Sequence, residues 1–252
     1  MAIDVLRKAK IAAQAFFDID NWRDVLPRAA RGQPVTEIHL RKGQTISATP
    51  AVALWPHFSD IWYHRSYTKY CSIPAESVVV DIGANVGVFA LLAARTARLV
   101  YALEPSSSNF SSLVSNTSQS RNIIPFNLAC AAFDGKASLD LTKDPVSYSL
   151  RTSRATGQQE MVDVVRLETF LHRSGIDHCD FLKLDCEGCE FEIILETDPS
   201  VFKRISIIVL EYHDHLSQRF SHRDLVQKLT ALDFRTVVYN PNGTHGMIAG
   251  IR

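Results

Sequence analysis

The sequence predicts one α/β domain with a mostly parallel sheet of seven strands, an antiparallel C-terminal hairpin and an N-terminal extension. The length of 252 residues suits a single domain with an enclosed core. From residue 78 onward, short apolar runs alternate with segments of helical spacing. The runs are apolar at consecutive positions, as in parallel strands that helices cover on both faces. We therefore assign residues 73–252 to the sheet domain and residues 1–72 to the extension.

The extension begins with a stretch of helical character at residues 8–17. After it, the first half of the sheet domain has the order strand, helix, strand, helix, strand. This rhythm indicates parallel strands joined by crossover helices. The five segments are 78–84, 86–97, 99–104, 106–118 and 123–129.

The pattern then loosens around the turn signal Asp134-Gly135. We predict a strand at 137–141 and a mobile loop at 144–159, which is long for a compact domain and could close over a substrate. Regular segments return as a strand, a helix, a strand, a helix and a final hairpin around residues 240–243. Their ranges are 181–185, 189–196, 205–211, 223–232, 234–239 and 245–251.

The composition limits the classes of partner. Lys plus Arg and Asp plus Glu both total 27, so no net positive charge attracts nucleic acid. We find no apolar run of the ~20 residues that a transmembrane helix needs, and the first 17 residues lack the core of a secretion signal. The odd number of cysteines, five, fits a reducing compartment. We expect a cytoplasmic protein without nucleic-acid partners; a homodimer is compatible with the sequence.

A glycine-bearing turn follows the first strand at Asp81-Ile-Gly-Ala-Asn-Val-Gly87. Gly83 and Gly87 lack a β-carbon, so the chain can turn tightly there and approach a ligand. Asp81 can accept hydrogen bonds from amides or from a cationic amino group. Glu104 ends the second strand, where a carboxylate can accept two hydrogen bonds from ribose hydroxyls. An NAD-dependent oxidoreductase would use the same acid, but its Gly-x-Gly-x-x-Gly spacing is missing.

Four motifs in this order resemble those of the FkbM family of methyltransferases. They are Val80-Asp-Ile-Gly-Ala-Asn-Val-Gly87, Glu104-Pro105, Asn127-Leu-Ala129 and Lys183-Leu-Asp-Cys-Glu-Gly188. The resemblance implies a Rossmann-like class I methyltransferase fold, S-adenosylmethionine as methyl donor and S-adenosylhomocysteine as product. The cofactor-binding residues that we expect are Asp81, Gly83, Asn85, Gly87, Glu104, Asn127, Ala129 and Asp185.

The resemblance also implies a small-molecule acceptor, most plausibly a hydroxyl on a sugar or secondary metabolite, and the extension is expected to help form the acceptor site. Methylation of nitrogen, or of a protein or peptide, is an alternative. A cofactor-binding protein without turnover is an alternative from another class. The aromatic residues of the extension can wall an acceptor pocket or belong to the core. They are Trp55, Trp62, Tyr63 and Tyr67.

Two neighbouring strands end in the polar segments Asp185-Cys-Glu187 and Glu211-Tyr-His213. Ligands of open α/β sheets bind beyond these strand ends, so the acids and the histidine are expected to share one rim. We predict catalytic roles for Asp185, Glu211 and His213, with His213 as general base because an ordinary imidazole titrates near neutral pH.

The same three residues could instead bind a divalent metal ion, although we predict no metal. A purely structural interpretation is that the acids cap helices and pair with Lys183 or Arg204. The pair Cys186-x-x-Cys189 lacks the second half of a zinc site.

Overall fold

A computed structural model describes residues 2–41, 43–49, 53–141, 149–151, 159–217, 219–240 and 242–252. The N-terminal extension contains three helices, a two-stranded antiparallel hairpin and one π-helical turn. These are α1 (Ala2–Asp18), α2 (Trp22–Ala30), β1 (Glu37–His39), β2 (Thr45–Ser47), α3 (Leu54–Ser59) and the turn Asp60–His64.

The first half of the sheet domain follows the predicted alternation. All five residues of the first strand are buried, as expected for a central parallel strand with both faces covered. Ser106 caps the helix that begins at Ser107 by accepting a hydrogen bond from the amide of Asn109. The elements are β3 (Val78–Ile82), α4 (Val88–Ala93), β4 (Leu99–Leu103), α5 (Ser107–Thr117) and β5 (Ile123–Phe126).

A second, four-stranded sheet follows, with strand order β6-β9-β7-β8. Its strands are β6 (Ala129–Ala131), β7 (Gly135–Asp140), β8 (Ser149–Arg151) and β9 (Gln159–Arg166). We predicted one continuous strand at 123–129, but the chain leaves the main sheet after Phe126 and pairs elsewhere from Ala129. Part of the predicted loop at 144–159 forms β8, and residues 144–148 and 152–158 lie outside the described residues.

The second half of the chain completes the main sheet. It contains α6 (Leu167–Arg173), β10 (Cys179–Leu184), α7 (Glu190–Glu196), α8 (Pro199–Phe202), β11 (Ile205–His213), a short 3₁₀ turn (Asp214–Leu216), α9 (His222–Ala231), β12 (Arg235–Tyr239) and β13 (His245–Ile251).

The main sheet has seven strands in the order β12-β13-β11-β10-β3-β4-β5. Pairs among β11, β10, β3, β4 and β5 are parallel, whereas β13 is antiparallel to both β11 and β12. This arrangement confirms the predicted α/β class I methyltransferase fold with its antiparallel C-terminal hairpin. Pro125 lies in β5, an edge strand of the main sheet. Proline has no amide proton to donate, and an edge strand tolerates this because only one of its sides is paired.

The extension packs on one face of this sheet. Ile19, Ile38 and Phe58 belong to the same buried cluster as Val79 of β3 and Phe89 of α4. Residues of the extension therefore stand close to the ends of the central strands. Within the described residues, we find no helix whose length and apolar character would let it cross a membrane.

Candidate functional site

An open cleft lies at the carboxyl ends of β3, β4 and β10. Strand-end loops form most of its wall, and the second sheet closes one side. Among the described residues of the extension, His57 alone contributes a side chain. The lining residues are His57, Ile82, Gly83, Asn85, Glu104, Pro105, Asn109, Leu128, Ala129, Cys130, Leu139, Asp185, Cys186, Glu187 and Cys189.

Two loops meet in the floor of the cleft at Gly83. Its φ is +76°, and a β-carbon built there would lie 1.8 Å from the backbone oxygen of Asp185. Only glycine fits such a conformation against a neighbouring backbone. Gly87 has a φ of +92°, and its missing β-carbon makes room for the side chain of Leu113 on α5. We expected both glycines to admit a ligand; Gly87 instead permits helix packing and lies outside the cleft lining.

Glu104 lies in the cleft with both oxygens held by backbone amides. Oε2 accepts from the amide of Asn85 and Oε1 from that of Ser106, each at 2.9 Å. A carboxylate has about four acceptor positions, so two remain for ribose hydroxyls. Burial raises the pKa of Glu104 to about 7, against the opposite effect of these two hydrogen bonds.

Asp81 lies behind the cleft floor rather than in the lining. Its side chain is fully buried, and Oδ1 lies 3.0 Å from Nζ of Lys183. We expected Asp81 to receive a ligand's amino group, but the ammonium of Lys183 takes that position. Burial raises the pKa of Asp81 while the charge of Lys183 opposes that rise. The pair therefore stabilises the junction of β3 and β10 beneath the site.

The remaining expected cofactor residues divide into two groups. Asn85, Ala129 and Asp185 line the cleft. Asn127 lies outside the lining, and its Nδ2 donates to the backbone oxygens of Glu104 and Pro105 at 2.9 and 2.8 Å. The side chain of Asn127 therefore holds the loop that follows Glu104 and does not line the cleft.

Asp185 and Glu211 lie close together, as their positions at two neighbouring strand ends predicted, but only Asp185 lines the cleft; Glu211 and His213 lie outside its lining. The hydroxyl of Tyr67 donates to Oδ2 of Asp185 at 2.7 Å and lies 3.3 Å from Oε2 of Glu211. Burial and then the charge of Asp185 raise the pKa of Glu211 to about 8, against the lowering effect of His213. Glu211 is therefore a weaker acid than a solvated glutamate, because it is buried beside a second carboxylate.

His213 lies beside these acids but is held by another residue, Glu190. Its Nδ1 is 2.9 Å from Oε1 of Glu190, and its Nε2 is 3.7 Å from Glu187 and 3.9 Å from Glu211. Burial alone would lower the pKa of His213, but the hydrogen bond and charge of Glu190, with the charges of Glu187 and Asp185, raise it to about 9. We chose His213 as the base because an ordinary imidazole titrates near neutral pH, but the pKa of this imidazole is raised above that range.

The ligand atoms of Asp185, Glu211 and His213 all lie within 4.8 Å of one another. This spacing suits two different uses, either proton transfer or coordination of one divalent cation. The three side chains that we predicted to be catalytic are thus brought together.

Sequence reasoning missed two functional candidates, Glu190 and His57, and named a third, Tyr67, only as a possible wall of an acceptor pocket. Glu190 carried a signal, since it begins a helix in the segment Glu187-Gly-Cys-Glu190, but we assigned it no role. Tyr67 was grouped with the aromatic residues, of which Trp55, Trp62 and Tyr63 pack with the core and Tyr67 alone bonds to the acids. His57 had no motif around it, and only the fold brings it to the cleft.

Three thiols also line the cleft, those of Cys130, Cys186 and Cys189. Burial raises the pKa of Cys130 and of Cys186 far above the usual value. Both therefore stay protonated near neutral pH and act as small apolar side chains. All five cysteines are free.

Comparison with known proteins identifies a related family. The model of the methyltransferase FkbM domain matches residues 81–236, more than half of the chain. The matched region begins at Asp81 and includes both strand-end segments with Asp185 and His213.

Two curated proteins are similar over 71% of this chain and 82% of their own length. One is 31-O-demethyl-FK506 methyltransferase FkbM of Streptomyces tacrolimicus, 25% identical over 214 residues. The other is methyltransferase 1 of Beauveria bassiana, 27% identical over 212 residues. Among solved structures, methyltransferase FkbM from Methylobacillus flagellatus is 14% identical with a TM-score of 0.49, covering 77% of this chain and 48% of that one.

Proposed function

The chain belongs to the methyltransferase FkbM family, and from this premise we propose that it methylates a hydroxyl oxygen of a sugar or secondary metabolite. The family uses S-adenosylmethionine, which supplies an electrophilic methyl group when bound. The relative from Streptomyces tacrolimicus, by its name, acts on 31-O-demethyl-FK506. Its substrate supports an oxygen acceptor.

One observation carries the proposal for oxygen: His213, a group that can accept a proton, lies together with Glu211 next to Asp185, and Asp185 lines the cleft. A hydroxyl is a weak nucleophile until its proton leaves, so an O-methyltransferase needs such a group beside the acceptor. Glu190 holds Nδ1 of His213 and leaves Nε2 directed toward the acids. We assign proton removal to Nε2.

The remaining side chains beside His213 position the acceptor and limit water. Asp185 and Glu211 offer carboxylate oxygens that accept hydrogen bonds from sugar-type hydroxyls. Tyr67 bridges the two acids and fixes their orientation. The extension, which carries Tyr67, thus takes part in the acceptor site in this proposal.

The proposed acceptor is a small molecule rather than a nucleic acid. With 27 basic and 27 acidic residues the chain has no net charge to attract phosphates. The side of the cleft that would receive the acceptor is acidic, through the lining residues Asp185 and Glu187 and through the neighbouring Glu211. Polyanionic acceptors would be repelled there.

The test is a methyl-transfer assay with S-adenosylmethionine labelled at its methyl group and a panel of hydroxylated sugars and polyketides beside matched amines. We expect label on oxygen and a loss of about 10²- to 10⁴-fold in kcat for H213A. The matched control is H215A. His215 is exposed, and its contact with His213 is a ring contact with 5.9 Å between the centroids. Label on nitrogen alone, or an unchanged rate in H213A, would refute the proposal.

A further inference from the structure

His57 lies in the cleft wall without a hydrogen-bonding partner for its ring. It belongs to α3 of the extension and is half-buried, yet its imidazole makes no hydrogen bond or ion pair with any described residue. The other polar residues of the wall are engaged, as Glu104 is by two amides and Asp185 by Tyr67. A half-buried polar ring that lines a cleft and bonds to no described residue is available to a ligand group in that cleft.

The charges of the wall limit what that group can be. Three of the lining residues carry carboxylates, namely Glu104, Asp185 and Glu187, and the described lining contains neither lysine nor arginine. His57 is therefore the one side chain of the described lining that can become a cation. An anionic part of a ligand would find attraction at His57 and repulsion at the acids.

The lining contains an apolar part and a polar part. Ala129 and Leu139 belong to one apolar cluster of the second sheet, and a surface of this kind suits a purine ring. The charge of Asp185 acts on His57, and these two polar side chains suit the methionyl part of S-adenosylmethionine with its α-amino and α-carboxylate groups. The acids attract the amino group, and the carboxylate needs a donor.

We propose that His57 binds the α-carboxylate of S-adenosylmethionine and of S-adenosylhomocysteine. This assignment rests on the cofactor of the proposed methyl transfer but concerns binding rather than catalysis. It gives the extension a role in cofactor binding as well as in the acceptor site.

The charged groups around His57 fit this role. Burial lowers the pKa of His57 to about 4; Lys183 lowers it as well, whereas Asp185 and Asp60 oppose the shift. The free ring is therefore neutral at pH 7 and donates from one nitrogen. A bound carboxylate stabilises the protonated ring, so binding is expected to be coupled to proton uptake at His57. The pKa of Glu104 in the same cleft is about 7, so the effect of His57 is the difference in proton uptake between the wild-type protein and a His57 variant that keeps Glu104.

The experiment compares two ligands by calorimetry: S-adenosylhomocysteine and S-adenosyl-3-thiopropylamine, which is the same molecule without the carboxylate. For H57A we expect a loss of affinity of about 10- to 100-fold for S-adenosylhomocysteine, the size of a hydrogen bond to a charged group. The analogue should lose less than about 2-fold. H57Q, which keeps a donor, should recover most of the affinity but take up fewer protons than the wild-type protein in buffers of different ionisation enthalpy. H64Q is the control, since His64 is exposed on the adjacent turn.

Two outcomes would overturn the role proposed for His57 and leave the proposed function intact. One is an equal loss for both ligands in H57A, which would mean that the ring acts on something other than the carboxylate. The other is unchanged binding of S-adenosylhomocysteine with a raised KM for the acceptor, which would give His57 to the acceptor site. Failure of the wild-type protein to bind S-adenosylhomocysteine would instead overturn the proposed function as well.

Discussion

Nδ1 of His213 lies 2.9 Å from Oε1 of Glu190, a residue that has no exposed surface. A carboxylate can only accept, so Nδ1 carries the proton and Nε2 is the atom available for proton transfer. The other oxygen of Glu190 accepts from the amide of Gly188 at 2.8 Å. Glu190 thus fixes the tautomer and the direction of the ring and also increases its basicity.

The first prediction concerns the pH dependence of methyl transfer. Since the pKa of His213 is raised to about 9, the base form increases as the pH rises, and kcat/KM is expected to rise from pH 7 to about 9. E190Q removes the charge that stabilises the imidazolium and so lowers this pKa. We expect the ascending limb to shift to lower pH by about 1 unit or more, with a lower plateau because the base is weaker.

E192Q provides the control for this pH profile, because Glu192 lies on the same helix and is not part of the cleft lining. Its pH profile should match that of the wild-type protein. An E190Q profile that superimposes on the wild-type curve would mean that Glu190 does not act through His213.

The second prediction concerns the buried pair of Asp81 and Lys183. K183M leaves the fully buried Asp81 without a cation, which is expected to reduce the free energy of unfolding by about 3–5 kcal/mol. D81L/K183M removes both charges and should recover most of this loss. Without Lys183 the pKa of Asp81 rises further, so the folded state binds the extra proton and the deficit of K183M should shrink as the pH falls from 8 to 5.

Urea unfolding monitored by circular dichroism measures both effects. K136M is the control, because Lys136 and Asp163 form a pair at 2.9 Å with both side chains more than half exposed. Its cost should stay below about 1 kcal/mol. If K183M were no less stable than K136M, the pair would have no structural role.

Local patterns in the sequence predicted the central strands of the main sheet because these strands are mostly apolar and buried. All five residues of β3 are buried, and five of the six residues of β10 are, because helices cover the sheet on both faces. The break between Phe126 and Ala129 was missed, since both sides of it are apolar and only the pairing partner distinguishes them. Sheet membership is a non-local property.

The site shows the same limit. Glu104 and Asp185 could be placed in the cleft because strand ends converge there in any open α/β sheet. The shifted pKa of His213 could not be predicted, because it depends on Glu190, which lies 23 residues away along the chain. His57 and Tyr67 reach the cleft through the packing of the extension, which no motif encodes.

The third prediction separates a close backbone contact from backbone strain. Gly83 and Gly43 have similar φ values, +76° and +82°, but a β-carbon at Gly43 would meet nothing within 4 Å. G43A should therefore cost only the left-handed strain, about 1–2 kcal/mol. G83A adds a collision with the backbone oxygen of Asp185, and we expect at least about 2 kcal/mol more and a loss of S-adenosylhomocysteine binding. Equal stabilities of the two variants would mean that the loops do not meet as described.

The fourth prediction distinguishes proton transfer from metal catalysis at Asp185, Glu211 and His213. At pH 7.5 the raised pKa keeps most of His213 protonated, so a cation would have to displace this proton before the ring could coordinate it, which weakens cation binding. Tyr67 also donates to Asp185 and so occupies one of its oxygens. We therefore expect methyl transfer to be unchanged after dialysis against EDTA and after addition of Mg²⁺ or Mn²⁺. Loss of activity in EDTA that one of these ions restores would make the three side chains a metal site, and His213 would then be a ligand instead of the base.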